Sequence, residues 1–342
     1  MKVLVTGGCG FIGSHVCEFY RNMEWDVVSY DSMTKFELSK TGYDLDLVRN
    51  FNWDYLEKIG VKRVKKDIRD LDDLLAEADG CDFIVHTAAQ PAMTLSMEEP
   101  WLDLTTNLIG TYNVLETARQ IKVPVVNCSS IHVYGTGINE TIREEETRYI
   151  RTPAGIAEDH ELMTGNITPL HASKMAAEHY VRMFTDTFGV RAATFRLTGL
   201  YGTRQFGGED HGWVANFTIK AAIGRPVTVF NTGKQLRDIL FAPDVCHAFH
   251  SFYENPVPGT YNIGGGEKTM ISLIECIEYL GELAGGPVEV HFGGERFGDL
   301  YYFVCNSSKA KKTLGWEAQT EPRDGIKALY DWAVENRRVF GA

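Results

Sequence analysis

An apolar run at 2–6 leads into TGGCGFIGS, which places Gly7, Gly10 and Gly13 three residues apart, and a helical pattern then continues to about Asn22. Glycines at this spacing let backbone approach a pyrophosphate, and the start of the helix adds amide donors and a favourable dipole. A strand, a glycine turn and a helix in that order commit the chain to a parallel α/β sheet, because parallel strands need crossover helices. The first half keeps the rhythm. Strand patterns at 26–30, 63–66, 81–88 and 123–129 alternate with helical ones, including 71–78 and 102–120. The expected fold is α/β, with a doubly wound parallel (Rossmann) sheet.

After Ser130 the rhythm stops. Residues 135–168 are polar and irregular, longer than most connections, which suggests a lid or binding loop. A helix then carries Lys174 to about Phe188, and 191–197 returns as a sixth strand. Beyond Tyr201, short helices and strands alternate with glycine-rich turns, and 324–340 reads as a closing amphipathic helix. Residues 1–198 are read as the nucleotide-binding domain, with 199–342 as a smaller substrate-binding α/β region interleaved with it.

A net charge of −12 weighs against a phosphate backbone as partner, since the densest basic run, KRVKK at 62–66, is short and followed by aspartates. Nucleic acid is therefore not expected, whereas a small phosphorylated ligand needs only a few local donors. No run of 18 apolar residues is present, so no membrane span is expected. MKVLVTGG lacks the features of a secretory signal, and the cytoplasm is the expected location. Seven cysteines without CxxC spacing read as reduced, buried thiols. Ten histidines show no ligand spacing, so no metal site is expected.

Asp31 closes the second strand at the distance from Gly13 where a carboxylate accepts hydrogen bonds from the adenosine ribose. A carboxylate there repels a 2′-phosphate, and no arginine follows closely, so the cofactor is expected to be NAD rather than NADP. Asp67, ending the third strand, is placed to meet the adenine.

These residues, with HTAAQ at 86–90, NLIGTYNVLE at 107–116, SSIHVYG at 129–135, SK at 173–174, LYGTRQF at 200–206, RDILFAPDV at 237–245 and YNIGGG at 261–266, resemble the extended short-chain dehydrogenase/reductase family of sugar-nucleotide epimerases, dehydratases and decarboxylases. The likeness covers nearly the whole chain. QPAMTLSMEEP at 90–100 and YGTRQFGGEDHGWVANF at 201–217 are most similar to the CDP-tyvelose 2-epimerase branch. The resemblance implies NAD held by Gly7, Gly10, Phe11, Ile12, Gly13, Asp31, Asp67, Ile68, Ala88, Asn107 and Lys174. It implies a CDP-, UDP- or GDP-linked sugar held by Arg204, Gln205, Arg237 and Arg296, and a homodimer. The implied chemistry is hydride removal from a sugar carbon, rotation of the keto-sugar and hydride return. Ser130 takes the position that hydrogen-bonds the reacting oxygen, and Lys174 the one that holds the nicotinamide ribose.

One position departs from the pattern. Family members carry tyrosine four residues before the lysine, and its phenol removes the hydroxyl proton as hydride leaves. This chain has Leu170. His132 is the expected substitute base, two residues past Ser130 and on the same face if the strand continues. His171 is about 100° around the helix from Leu170 and is expected to point elsewhere. Tyr149 has nothing local to bring it over the site. A dehydratase remains open, although Ile131 and His132 replace the Asp-Glu pair of hexose 4,6-dehydratases. So does a catalytically silent binding module, given Gly199 and Asn306 where relatives often carry Asn and Asp.

Overall fold

The computed structural model describes residues 1–35, 38 and 41–341. The chain begins β1 (Lys2–Thr6), α1 (Phe11–Asn22), β2 (Asp26–Asp31), α2 (Leu45–Lys58), β3 (Lys62–Lys65), α3 (Leu71–Ala78) and β4 (Phe83–His86). It continues with α4 (Met93–Glu98), α5 (Pro100–Leu104), α6 (Gly110–Ile121) and β5 (Val125–Ser130), a π-helical turn at Thr105–Ile109 joining α5 to α6. A hairpin, β6 (Arg143–Glu144) and β7 (Tyr149–Ile150), precedes α7 (Pro169–Phe188) and β8 (Ala192–Leu197). The remainder is β9 (Gly199–Tyr201), α8 (Trp213–Ala222), β10 (Val227–Phe230), β11 (Leu236–Phe241), α9 (Ala242–Glu254), β12 (Gly259–Ile263), β13 (Met270–Ser272), α10 (Leu273–Ala284), β14 (Val290–Gly293), β15 (Tyr302–Phe303), α11 (Ser308–Leu314) and α12 (Pro322–Glu335).

Seven parallel strands form the main sheet in the order β12-β8-β5-β4-β1-β2-β3. Alternation along β1 explains the layers. Val3 and Val5 face one side and pack with Val16, Tyr20, Phe249 and Phe252 of α1 and α9. Leu4 faces the other side and packs with Leu74, Val114, Leu115, Val181 and Phe184 of α3, α6 and α7. Both faces are covered, so the central strands β1 and β4 carry apolar residues on both sides, Val3, Leu4 and Val5 in one and Phe83, Ile84 and Val85 in the other. Each such aliphatic side chain stabilises by roughly 1.5–3 kcal/mol when fully buried.

The second region is built on β11, which pairs with β9, β13 and β15. A third core, between α8, α10 and α12, includes Val214, Phe217, Ile326 and Leu329. Past residue 198, α9 packs on α1 and β12 adds to the main sheet beside β8.

Several boundaries differ from those read in the sequence. The ladder of β4 ends at His86, where Thr87 peels away while its N–H still donates to Thr6 O at 3.1 Å. The helix expected over 102–120 is interrupted by the π-turn. The closing helix begins at Pro322 and ends at Glu335, with a 3₁₀ turn over Arg337–Phe340. Residues 135–168 carry the hairpin and a 3₁₀ turn at Thr136–Thr141, and none of them lines the cavity described below, so they form no lid over it. Among the described residues, no helix is long and apolar enough to cross a membrane, and no group of three or more His, Cys, Asp or Glu could hold a metal ion.

Candidate active site

β1 and β4 are neighbours at the point where the strand order reverses, and a cavity of about 620 Å³ opens at their carboxyl ends. Gly7 turns the chain there at φ +68°, its N–H donating to Tyr30 O at 2.8 Å. A Cβ on Gly7 would lie 2.6 Å from Ala88 N, and one on Gly13 2.1 Å from Gly7 O, so both positions require glycine. Gly7, Gly10, Phe11, Ile12 and Gly13 line the cavity, and α1 carries no acidic residue in its first turn to repel an anion. The Asp31 carboxylate accepts Cys9 N–H at 2.9 Å and Met33 N–H at 2.7 Å, which fixes it on the cavity wall. The glycine cradle and the fixed carboxylate fit a dinucleotide pyrophosphate and an adenosine ribose.

Asp67, Ile68 and Ala88 line the same end. The Asp67 carboxylate, expected to meet the adenine, is already paired with Arg69 at 2.6 Å. Asn107 is not among the lining residues. Its amide instead accepts Gln90 N–H at 2.8 Å and donates to Gln90 O at 3.1 Å, holding the segment that follows β4 in place.

At the middle of the cavity β5 ends on Ser130, whose Oγ accepts His132 N–H at 3.2 Å and caps a 3₁₀ turn over Ile131–Tyr134. The strand therefore does not continue through His132, yet the turn still brings the ring to the cavity wall beside Ser130 and Leu170. Leu170 is 3% exposed, and its N–H donates to Ser96 Oγ at 3.3 Å. Burial, with the charges of His171 and Arg237 adding to it, pushes His132 down to about 3. A base role for His132 thus costs on the order of several kcal/mol relative to an ordinary imidazole. Lys174 does not line the cavity. Its Nζ donates to Cys128 O at 2.9 Å, and burial lowers its pKa, with Cys128, Asp103 and Glu178 pulling the other way.

The sequence reading set His171 aside, but its ring packs edge-on to His132 with centres 5.3 Å apart. The helical angle from Leu170 describes only α7, while the 3₁₀ turn is what carries His132 towards it. Tyr149 stacks on Tyr301 and takes no part in the site.

At the far end Arg237, Arg296, Asp299 and Phe230 line the cavity. Arg237 donates to Asp299 Oδ1 at 3.3 Å and to Leu300 O. The Arg296 guanidinium lies 3.4 Å from the centre of the Phe230 ring and donates to Glu209 O. Thr94 Oγ1 donates to Asp210 Oδ1 at 3.0 Å, a contact across the cavity that nothing in the sequence signalled. Arg204 is a correction: although it borders the cavity, its guanidinium pairs with Glu18 at 2.6 Å and meets His15 Nδ1 at 2.9 Å, beneath the glycine turn. Gln205 borders the cavity with its amide donated to Leu200 O at 3.3 Å.

A nucleotide cradle at one end, a pair of arginines at the other and a serine between them define the class. The chain belongs to the NAD dependent epimerase/dehydratase family, whose profile matches residues 3–264, and it is an enzyme of that family with NAD as cofactor. It is similar to CDP-paratose 2-epimerase of Salmonella typhi, with 32% identity covering 97% of this chain and 99% of the relative. It is similar also to dTDP-glucose 4,6-dehydratase of Xanthomonas campestris pv. campestris, with 29% identity covering 98% and 93%. The solved UDP-glucuronic acid 4-epimerase of Bacillus cereus, in complex with UDP-glucuronic acid and NAD, superposes with a TM-score of 0.81 at 25% identity, covering 98% of this chain and 99% of that one.

Proposed function

We propose that this protein epimerises a nucleotide-activated sugar, CDP-linked in the first instance, through a transient ketone. The observation that supports this most is the continuity of one cavity from the glycine turn and Asp31 to Arg237 and Arg296, passing Ser130 and His132 midway. Bound NAD supplies hydride acceptance and return. The glycine turn and Asp31 orient its pyrophosphate and ribose. Arg237 and Arg296 hold the diphosphate of the sugar nucleotide, as guanidinium forks suit. Arg204 drops out of that set because Glu18 and His15 occupy it. Lys174 acts through the carbonyl of Cys128 and through its charge. Ser130 Oγ and the His132 ring meet the reacting oxygen on the wall where Leu170 leaves no phenol.

The homodimer is part of the same reading. Trp101 is 73% exposed, and Ile109, Tyr112, Tyr180 and Phe188 are exposed on α6, α7 and the turn before α6, an apolar strip that a second copy would cover. Seven free thiols suit a reducing compartment, which supports the cytoplasm.

Leu170 favours a second reading, in which the protein binds NAD and a sugar nucleotide without turnover. Incubation with CDP-, UDP- and GDP-sugars, read by proton NMR, separates the two. Inversion at one sugar carbon is expected. Loss of water would move the assignment to a dehydratase, and no conversion of any sugar would leave the binding module.

A further inference from the structure

His171 is wholly buried, and the direction of its hydrogen bonds fixes its tautomer. Its Nδ1 lies 2.8 Å from Thr168 N and 2.8 Å from Thr168 Oγ1. A backbone N–H can only donate, so Nδ1 is the acceptor and the neutral ring carries its proton on Nε2. That Nε2–H is buried and finds no partner among the described residues. An orphaned donor of this kind is costly to leave unmade.

A second orphan lies on the neighbouring ring. His132 Nδ1 is also buried without a partner among the described residues, and the two rings are 5.3 Å apart, inclined at 70°. An N–H···N bond of about 3 Å, with roughly 1 Å from each nitrogen to its ring centre, needs a separation of about 5 Å. The observed separation of the ring centres is close to that value.

Resting on the reading above, that His132 meets the reacting oxygen, we propose that His171 is a positioning residue whose Nε2–H is donated to His132 Nδ1. This places the His132 proton on Nε2, the nitrogen left for the cavity. His132 then meets the substrate oxygen as a neutral N–H donor beside Ser130, stabilising the ketone oxygen, while the hydroxyl proton passes to a water molecule in the cavity and returns from it when the alcohol re-forms. A protonated His132 would set two N–H groups against each other, so the pair holds His132 neutral. The low pKa values of both rings, about 3 for His132 and about 4 for His171, agree with this. Leu170 adds no competing polar group on the same wall.

The test is long-range proton–nitrogen NMR of the full-length protein with NAD and ¹⁵N-labelled histidine, the His132 signals being assigned by their loss in His132→Gln. Both His132 and His171 are expected as Nε2–H tautomers, and His171→Phe is expected to convert His132 to a mixture. In turnover, His132→Gln keeps the parent kcat within about tenfold while His132→Ala loses about 100-fold or more, since an amide N–H can donate but cannot act as a base. His171→Gln, which keeps a donor, is expected to retain kcat where His171→Phe loses it with KM unchanged. An Nδ1–H tautomer at His132, or a His132→Gln variant as inactive as His132→Ala, overturns this inference and leaves the underlying reading intact. A parent rate in His132→Ala overturns that reading and this inference with it.

Discussion

Asp31 and His171 mark the two extremes of what single residues disclosed. Asp31 was legible because its role follows from local geometry, a carboxylate at the end of the strand beside a glycine turn. The structure adds the two amide donors that aim it. Removing it as Asp31→Ala strips charge-assisted bonds worth about 1.5–3 kcal/mol from the ribose site. NAD affinity should fall roughly 10- to 100-fold, measured by titration calorimetry, and an unchanged affinity would take Asp31 out of the cofactor site. His171 was not legible. Its partner comes from the 3₁₀ turn after β5, and no spacing within α7 could show that. Arg204 was misread for a related reason: a motif places the residue, but the guanidinium goes to whichever acceptors packing supplies, here Glu18 and His15.

Among the elements, those that repeat a simple period were read well, as β1, β2, α1 and α7 show. Breaks in period were not. The π-turn at Thr105–Ile109 interrupts an apolar helical pattern without a proline, and it contains Asn107, whose buried amide clamps Gln90. π-turns of this kind often sit at functional sites, and their cause is tertiary. β11 carries a second tertiary effect. Asp238 is wholly buried, with Oδ2 accepting Gly266 N–H at 3.1 Å. Burial pushes its carboxyl up to about 6, with Cys305 and Gly266 pulling the other way. The folded chain therefore holds a proton that the unfolded chain releases near 4. Stability is fully present below that point, falls as pH rises through about 6, and stays lower above it. Asp238→Asn, which keeps the acceptor without the charge, should leave Tm unchanged near pH 4 and raise it at pH 8, by a stability of about 3 kcal/mol. A difference that does not vary with pH between these limits would contradict the account.

At the scale of the whole molecule, the fold class and the cofactor end of the cavity could be read from the sequence because the glycine turn, the alternating elements and Asp31 all lie in consecutive chain. The interleaving of the second region was legible only in outline, since which elements return, α9 onto α1 and β12 beside β8, depends on contacts that no local pattern encodes. The substrate end was legible only in part. Arg237 and Arg296 reach the cavity, but Thr94, Asp210 and Asp299 join them there from three separate segments. The central claim is that one cavity brings NAD and a nucleotide sugar together so that the hydride taken from a sugar carbon returns to that carbon. Conversion of a CDP-sugar in D₂O, read by mass spectrometry and NMR, tests it most directly. The account predicts an inverted carbon with no deuterium bound to it and no change in mass once exchangeable protons are washed out. Deuterium at the inverted carbon, a gain of one mass unit, would show proton exchange in place of hydride return and contradict it.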